Sequence, residues 1–333
     1  MNKLFSMIFK TILTITFIFT NALLFANKSD TSFVIGTFNM SKVIDGDTFK
    51  FTGLDKSTRL LCIDTEETFK SDDAEQKTNE IASNWEEFYK NEKGTNTMPV
   101  KADSPLGFEA WKWAEIFFKD VEIVRLEKED DDRAVDIFGR YLVYLIAIKN
   151  GVEINYNVEC VRQGYSPYFN KYGNSLRFHN EFIEAQNYAM ENKLGVWDPL
   201  KKHYPDYDER IIWWNKRAVQ LENYEKNYAG NQNYFNLGSD ADYNRLADNI
   251  GNEITVFGGI GDVLTKKLPN ILRIPINKKE SFDIVVFEDN LNLLTETDIE
   301  NKKNYYTYIK GKLEIYNGNY QIVLKDKDQI WME

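Results

Sequence analysis

The chain has 333 residues, enough for two domains, and 41 basic against 52 acidic residues leave a formal charge of −11. Such a protein cannot coat nucleic acid through bulk positive charge, because affinity for phosphates comes mainly from Lys and Arg. Its two Cys and two His leave little for zinc or redox chemistry, so water is the natural nucleophile for any hydrolysis. At the N-terminus, Lys3 and Lys10 lead into an uncharged apolar stretch over residues 11–25, which ends at Ala26 before Asn27-Lys28-Ser29-Asp30. This predicts an export signal over residues 1–26, cleaved after Ala26, and a secreted or periplasmic protein without stable membrane association afterwards. An uncleaved anchor is the alternative, since the stretch approaches the shortest spanning length of about 17 residues.

Short alternating strands are predicted over 33–38, 41–44, 49–52 and 58–63, with turn chemistry at Asp45-Gly46-Asp47-Thr48 and over 53–57, a pattern that suits a small barrel. Residues 69–103 read as a helical insertion, with Ile81, Trp85, Phe88 and Tyr89 at helical spacing and an exposed loop over 91–103. A helix over 105–119 follows, then strands over 121–126 and 140–148, an Asn150-Gly151 hairpin turn, and helices over 154–163 and 179–192. Residues 200–251 read as a helical and polar linker, Tyr/Asn-rich over 224–244. Strand alternation resumes over 252–333, with Asn317-Gly318 marking a hairpin. Cys62 and Cys160 sit in apolar patterns and read as buried thiols, a disulfide between them being the alternative.

Four pieces stand out in order: Val43-Ile44-Asp45-Gly46-Asp47-Thr48, the run from Arg59 through Ile63-Asp64-Thr65-Glu66-Glu67, Phe138-Gly139-Arg140, and Val161-Arg162-Gln163-Gly164. A phosphodiester is shielded by negative oxygens, so its hydrolysis calls for a hard cation on carboxylate and carbonyl ligands, a base for water, and arginines whose planar forks bind phosphate oxygens. Together the four pieces closely resemble the staphylococcal nuclease (thermonuclease) family, over roughly residues 33–198. The resemblance implies an α+β, mainly β fold: a five-stranded OB barrel with packed helices over 33–199. It implies Ca2+, with another divalent metal as the alternative, on Asp47, Asp64 and the Thr65 carbonyl, and Asp45 in the outer shell. Glu67 matches the family's water-activating glutamate, and Arg59 and Arg140 match the arginines that stabilise the transition state. Cleavage in that family leaves 3′-phosphate ends.

The chain departs from that pattern at Glu66, at Ile137 and Phe138, at Asn170, where one of two tyrosines is lost, and in an expanded segment between Glu67 and Pro105. Glu66 fills a slot that is usually Pro, where it is free to perturb Glu67 or to act as an alternative ligand. Ile137 and Phe138 replace a lysine and tyrosine that lie near the terminal phosphate of bound nucleotide, so Phe138 and the retained Tyr172 are the candidates for base stacking. Arg162 reads as a helix anchor. Residues 252–333 resemble an OB-fold nucleic-acid-binding barrel in the run from Ile309 to Leu324, with Lys310, Lys312, Tyr316 and Tyr320 as candidate contacts, though the region has no basic excess. The expected function is a secreted metal-dependent nuclease acting on DNA, RNA or both. The alternative is a noncatalytic nucleic-acid-binding protein that keeps the nuclease fold as a scaffold.

Overall fold

The computed structural model describes residues 31–333 except 122, 132 and 133, so the expected export signal lies outside the described residues. The chain divides between Val34 and Ile35, and the architecture below is that of Ile35–Glu333. Strand β2 (Thr48–Phe51) shows why a barrel forms: Phe49 and Phe51 point inward while Lys50 faces solvent, the two-residue alternation of a half-buried strand. It joins β1 (Val34–Val43), β3 (Thr58–Leu60), β4 (Ile123–Glu127), β5 (Tyr141–Lys149) and β6 (Val152–Asn155) in a sheet ordered β3-β2-β1-β4-β5-β6. A parallel pairing of β3 with β5, which sets Arg59 against Leu142, closes five of these strands into a barrel. Its interior is filled by Phe49, Leu60, Ile63, Val124, Leu126, Val143 and Leu145.

The expected helix over 154–163 begins later than its pattern suggested. Residues 152–155 instead pair with β5 as a hairpin, and the Asn155 side chain caps the N–H groups of Asn157 and Val158 to start α4 (Tyr156–Arg162), numbered after the three helices that precede it. Those three are α1 (Ala74–Ala82) and α2 (Trp85–Lys93) in the insertion, then α3 (Pro105–Phe118). Helix α3 opens with Ser104 accepting the Gly107 N–H at 2.8 Å and Pro105 at the first turn. Helix α5 (His179–Glu191) completes this unit.

Residues 200–251 contain a helix, as their pattern suggests, and further elements beside it. They form α6 (Tyr207–Tyr228), β7 (Tyr234–Asn236) and α7 (Asp240–Arg245), with Trp214 and Tyr224 buried. Aromatic side chains, not a polar spacer, decide this: Trp85, Tyr89, Ala102, Tyr204, Tyr207 and Trp214 form one core that fastens the insertion to α6. The C-terminal strands are β8 (Glu253–Gly259), β9 (Asp262–Leu264), β10 (Asn270–Pro275), β11 (Ser281–Val286), β12 (Tyr306–Lys312), β13 (Glu314–Tyr316), β14 (Asn319–Val323) and β15 (Ile330–Trp331). Two sheets, β13-β14-β11-β10-β9 and β15-β12-β8-β7, enclose a core of Val256, Leu272, Ile284, Ile309 and Ile322. The β11–β14 pair is parallel, as β3–β5 is in the barrel, and the short helices α8 (Leu293–Glu296) and α9 (Ile299–Lys302) precede β12.

Candidate active site

The turn between β1 and β2 brings the first carboxylates to one end of the barrel. Gly46 is required there, because a Cβ would stand 2.8 Å from the Thr65 methyl, and its carbonyl accepts the Tyr156 hydroxyl at 2.9 Å. Asp45 shapes the turn by accepting the Asp47 N–H at 3.1 Å and is paired to Lys70 at 2.8 Å, so it supports Asp47 from behind. Asp47 is buried and accepts the Thr65 N–H at 2.9 Å. Asp64 is buried as well, and its N–H donates to Ser166 Oγ at 2.9 Å.

Arg59 joins these carboxylates. Its two terminal nitrogens contact Asp47 and Asp64 separately, and one also donates to the Ile63 carbonyl at 3.3 Å. Burial alone would weaken the guanidinium's hold on its proton, but Asp47 and Asp64 outweigh it and keep Arg59 charged. Burial lifts Asp47 above the usual carboxylate range, with Arg59 opposing the lift and Asp45 and Asp64 adding to it. Asp64 goes the other way: burial would raise it, but Lys101 and Arg59 together hold it well below that range.

Glu67 lies at the rim, its side chain 38% exposed. Its backbone is clamped: its carbonyl accepts the Ser104 N–H at 3.0 Å and its N–H donates to Tyr204 Oη at 3.3 Å. Arg140 stands at the start of β5, one residue before Tyr141 pairs with Thr58, so the β3–β5 closure carries it beside the strand of Arg59. Asp136 orients it, accepting from Nε at 2.7 Å and from the backbone N–H at 2.9 Å.

Glu66 is corrected by the structure. Its carboxyl turns away from Asp47 and Asp64 and accepts the Ser104 hydroxyl and the Tyr204 N–H, so it is neither a ligand nor a loose link but a buried tie between α3 and the segment before α6. Burial pushes it up to about 7 against those donors. The expected exposed loop over 91–103 is corrected at its ends, since 91–93 belong to α2 and the last residues pack on the site, while 94–97 are exposed. Residues 101–104 run against Glu67, Ala102 is buried, and Lys101 reaches Asp64 at 2.7 Å and Glu67 at 3.4 Å. Lys101 escaped notice because a lone lysine in a polar loop carries no spacing signal.

The expected substrate aromatics sit on the surface, Phe138 58% and Tyr172 48% exposed, each among cations. The Phe138 ring has Arg140 at 5.6 Å and Lys278 of the turn after β10 at 5.2 Å. Tyr172 has Lys171 at 5.5 Å and Arg217 at 5.8 Å. On the C-terminal sheets the expected contacts are dispersed: Lys310 pairs with Glu253 at 3.0 Å, Lys312 and Tyr316 are exposed, and Tyr320 packs on the core edge-on to Tyr243. Cys62 and Cys160 are free thiols. Arg162 stacks on Tyr188 at 3.9 Å, which bears out its reading as a helix anchor. No helix among the described residues is long and apolar enough to cross a membrane.

The donor set of Asp47, Asp64 and the Thr65 carbonyl is hard oxygen and fits a calcium-like cation in kind. Among the described residues no three acidic, His or Cys side chains gather into a cage, so water and substrate oxygens would have to complete the shell. Over 159 residues, covering 47% of this chain and 69% of its own length, an uncharacterized protein of Methanocaldococcus jannaschii is 28% identical to it. Residues 57–199 match the family described as Staphylococcal nuclease homologue, a span that begins after Asp45 and Asp47 and contains Arg59, Asp64, Thr65, Glu67 and Arg140. The closed five-strand barrel around that span agrees with the match of residues 57–199 to the staphylococcal nuclease homologue family.

Proposed function

We propose that the chain is an exported nuclease that hydrolyses phosphodiester bonds of DNA, RNA or both with the help of a divalent cation, calcium by preference. The observation that carries this reading is the meeting of Asp47, Asp64 and Arg59 at one end of a nuclease-homologue barrel, with Glu67 one ammonium away. When bound, the cation would be held by Asp47, Asp64 and the Thr65 carbonyl and would polarise the phosphate and lower the pKa of water.

The protein's own groups supply the rest. Glu67, partly exposed and held by its backbone, accepts a proton from the attacking water. Arg59 and Arg140 donate to the oxygens on which charge accumulates, and Asp136 keeps the Arg140 fork aligned with no reorganisation during the reaction. Phe138 and Tyr172 stack bases, and Arg140 and Lys278 beside the Phe138 ring meet the flanking phosphates. An acidic protein can thus act on a polyanion, because its positive groups are gathered where the strand lies.

Incubation of the chain with single- and double-stranded DNA and RNA, first with calcium and then with excess chelator, tests this. Cleavage that chelation abolishes is expected, and Arg140→Ala and Glu67→Gln should each lower kcat by about 100-fold or more. Oligonucleotide binding without cleavage in either condition would leave the noncatalytic scaffold as the function.

A further inference from the structure

The insertion, which nothing in the nuclease chemistry requires, delivers a positive charge to the place where a metal would sit. Residues 101–104 are fastened on both sides: Ser104 N–H to the Glu67 carbonyl at 3.0 Å, and Ala102 N–H to Tyr204 Oη at 2.9 Å. Tyr204 in turn packs among Trp85, Tyr89, Tyr207 and Trp214. This segment throws the Lys101 side chain across the site, where its ammonium lies 2.7 Å from Asp64 and 3.4 Å from Glu67. Asp64 is one of the two carboxylates suited to a metal, and Glu67 is the group suited to activate water. Lys101 therefore neutralises a ligand and engages the base together.

We propose that Lys101 is a tethered competitor of the divalent cation, an autoinhibitory counter-charge built into the insertion. This rests on the metal-dependent reading above and extends it. A divalent ion at Asp47 and Asp64 and an ammonium on Asp64 repel each other at short range, so the ion binds only as Lys101 withdraws. Withdrawal also frees Glu67. Arg59 touches the same two carboxylates but is 14% exposed against 48% for Lys101, so Lys101 is the cation placed to withdraw. The nuclease is thus held off until the cation is abundant, and the same ammonium, once released, stands at the rim where a substrate phosphate would approach. Lys101 adds a second counter-charge to Asp64 beside that of Arg59, and so also stabilises the metal-free fold.

Calcium titration calorimetry on the full chain and on Lys101→Met tests the competition without any substrate. Lys101→Met should bind calcium at least about tenfold more tightly, and its thermal midpoint should be lower without calcium and rise further with it than that of the unsubstituted chain. Equal or weaker calcium affinity in a Lys101→Met protein of unchanged circular dichroism would overturn the proposal. A second measurement needs no variant. Acylation of Lys101 by acetic anhydride, read by mass spectrometry, should increase on adding calcium, with a midpoint at the calcium affinity; an unchanged yield would also overturn it. If neither protein takes up calcium, the metal-dependent reading falls and this proposal with it. If both bind equally, only the proposal falls.

Discussion

Single side chains decide the electrostatics of this protein. Arg59 neutralises two buried carboxylates that would otherwise repel, which is why Asp47 and Asp64 can lie together in an apolar barrel end at all. For Lys171 the compensation is smaller: attraction to Asp64 is outweighed. Its ammonium sits 4.1 Å over the Trp213 ring, and burial, with Arg217 adding repulsion, pulls it down to about 8 from 10.5. A base whose pKa is depressed by folding costs stability while it is charged. The cost is full below pH 8 and fades as pH rises from about 8 to 10.5. Lys171→Met should therefore be about 1–3 kcal/mol more stable than the parent at pH 7 in urea unfolding, with the gap closing by pH 10.5. Lys171 lies beside Tyr172, so weaker oligonucleotide binding by that variant would identify why the charge is kept.

At the scale of elements, the insertion and α3 hold the loop that carries Glu66 and Glu67. The closest approach is at Gly107, where a Cβ would stand 2.0 Å from the Glu67 carbonyl oxygen and 2.7 Å from that of Glu66. Gly107→Ala should cost about 3 kcal/mol or more, or push Glu67 out of place; thermal denaturation and kcat measured together would distinguish the two results. A methyl group tolerated without change in either would mean that α3 does not position the base. This close contact was not legible in the sequence, where Pro105 and Gly107 read only as the start of a helix. The helix itself was legible, since Ser104 and Pro105 are local start signals.

Over the whole molecule, α6 is a strut between the barrel and the two C-terminal sheets. On one side Trp214 packs edge-on against Phe169 and Arg217 donates to the Lys171 carbonyl at 3.0 Å. On the other, Trp213 donates to the Asn304 carbonyl at 3.1 Å and Gln220 to the Tyr306 carbonyl at 3.0 Å. This arrangement places Lys278 next to Phe138, so the C-terminal sheets meet the active-site rim through the turn after β10 rather than through Lys310, Lys312, Tyr316 or Tyr320. Lys278→Ala should weaken single-strand binding uniformly across sequences and lower the salt slope of binding by about 1. An equal loss in a Lys310→Ala, Lys312→Ala double variant, with none in Lys278→Ala, would return the contact to the hairpin face.

The barrel and its charged residues were legible because their signals are local. Two-residue alternation gave the strands away, turn residues marked Asp45-Gly46-Asp47, and Arg59, Asp64, Glu67 and Arg140 stand at recognisable positions on or beside strands. Glu66, Lys101 and the covered face of α6 carry no such local signal. Their roles depend on partners far along the chain: Glu66 on Tyr204, Lys101 on Asp64, Arg217 on Asn304. A sequence pattern records which face of an element is apolar. It does not record which distant element will cover that face, and only the packed structure decided that a loop lysine would come to rest on the carboxylates suited to a metal.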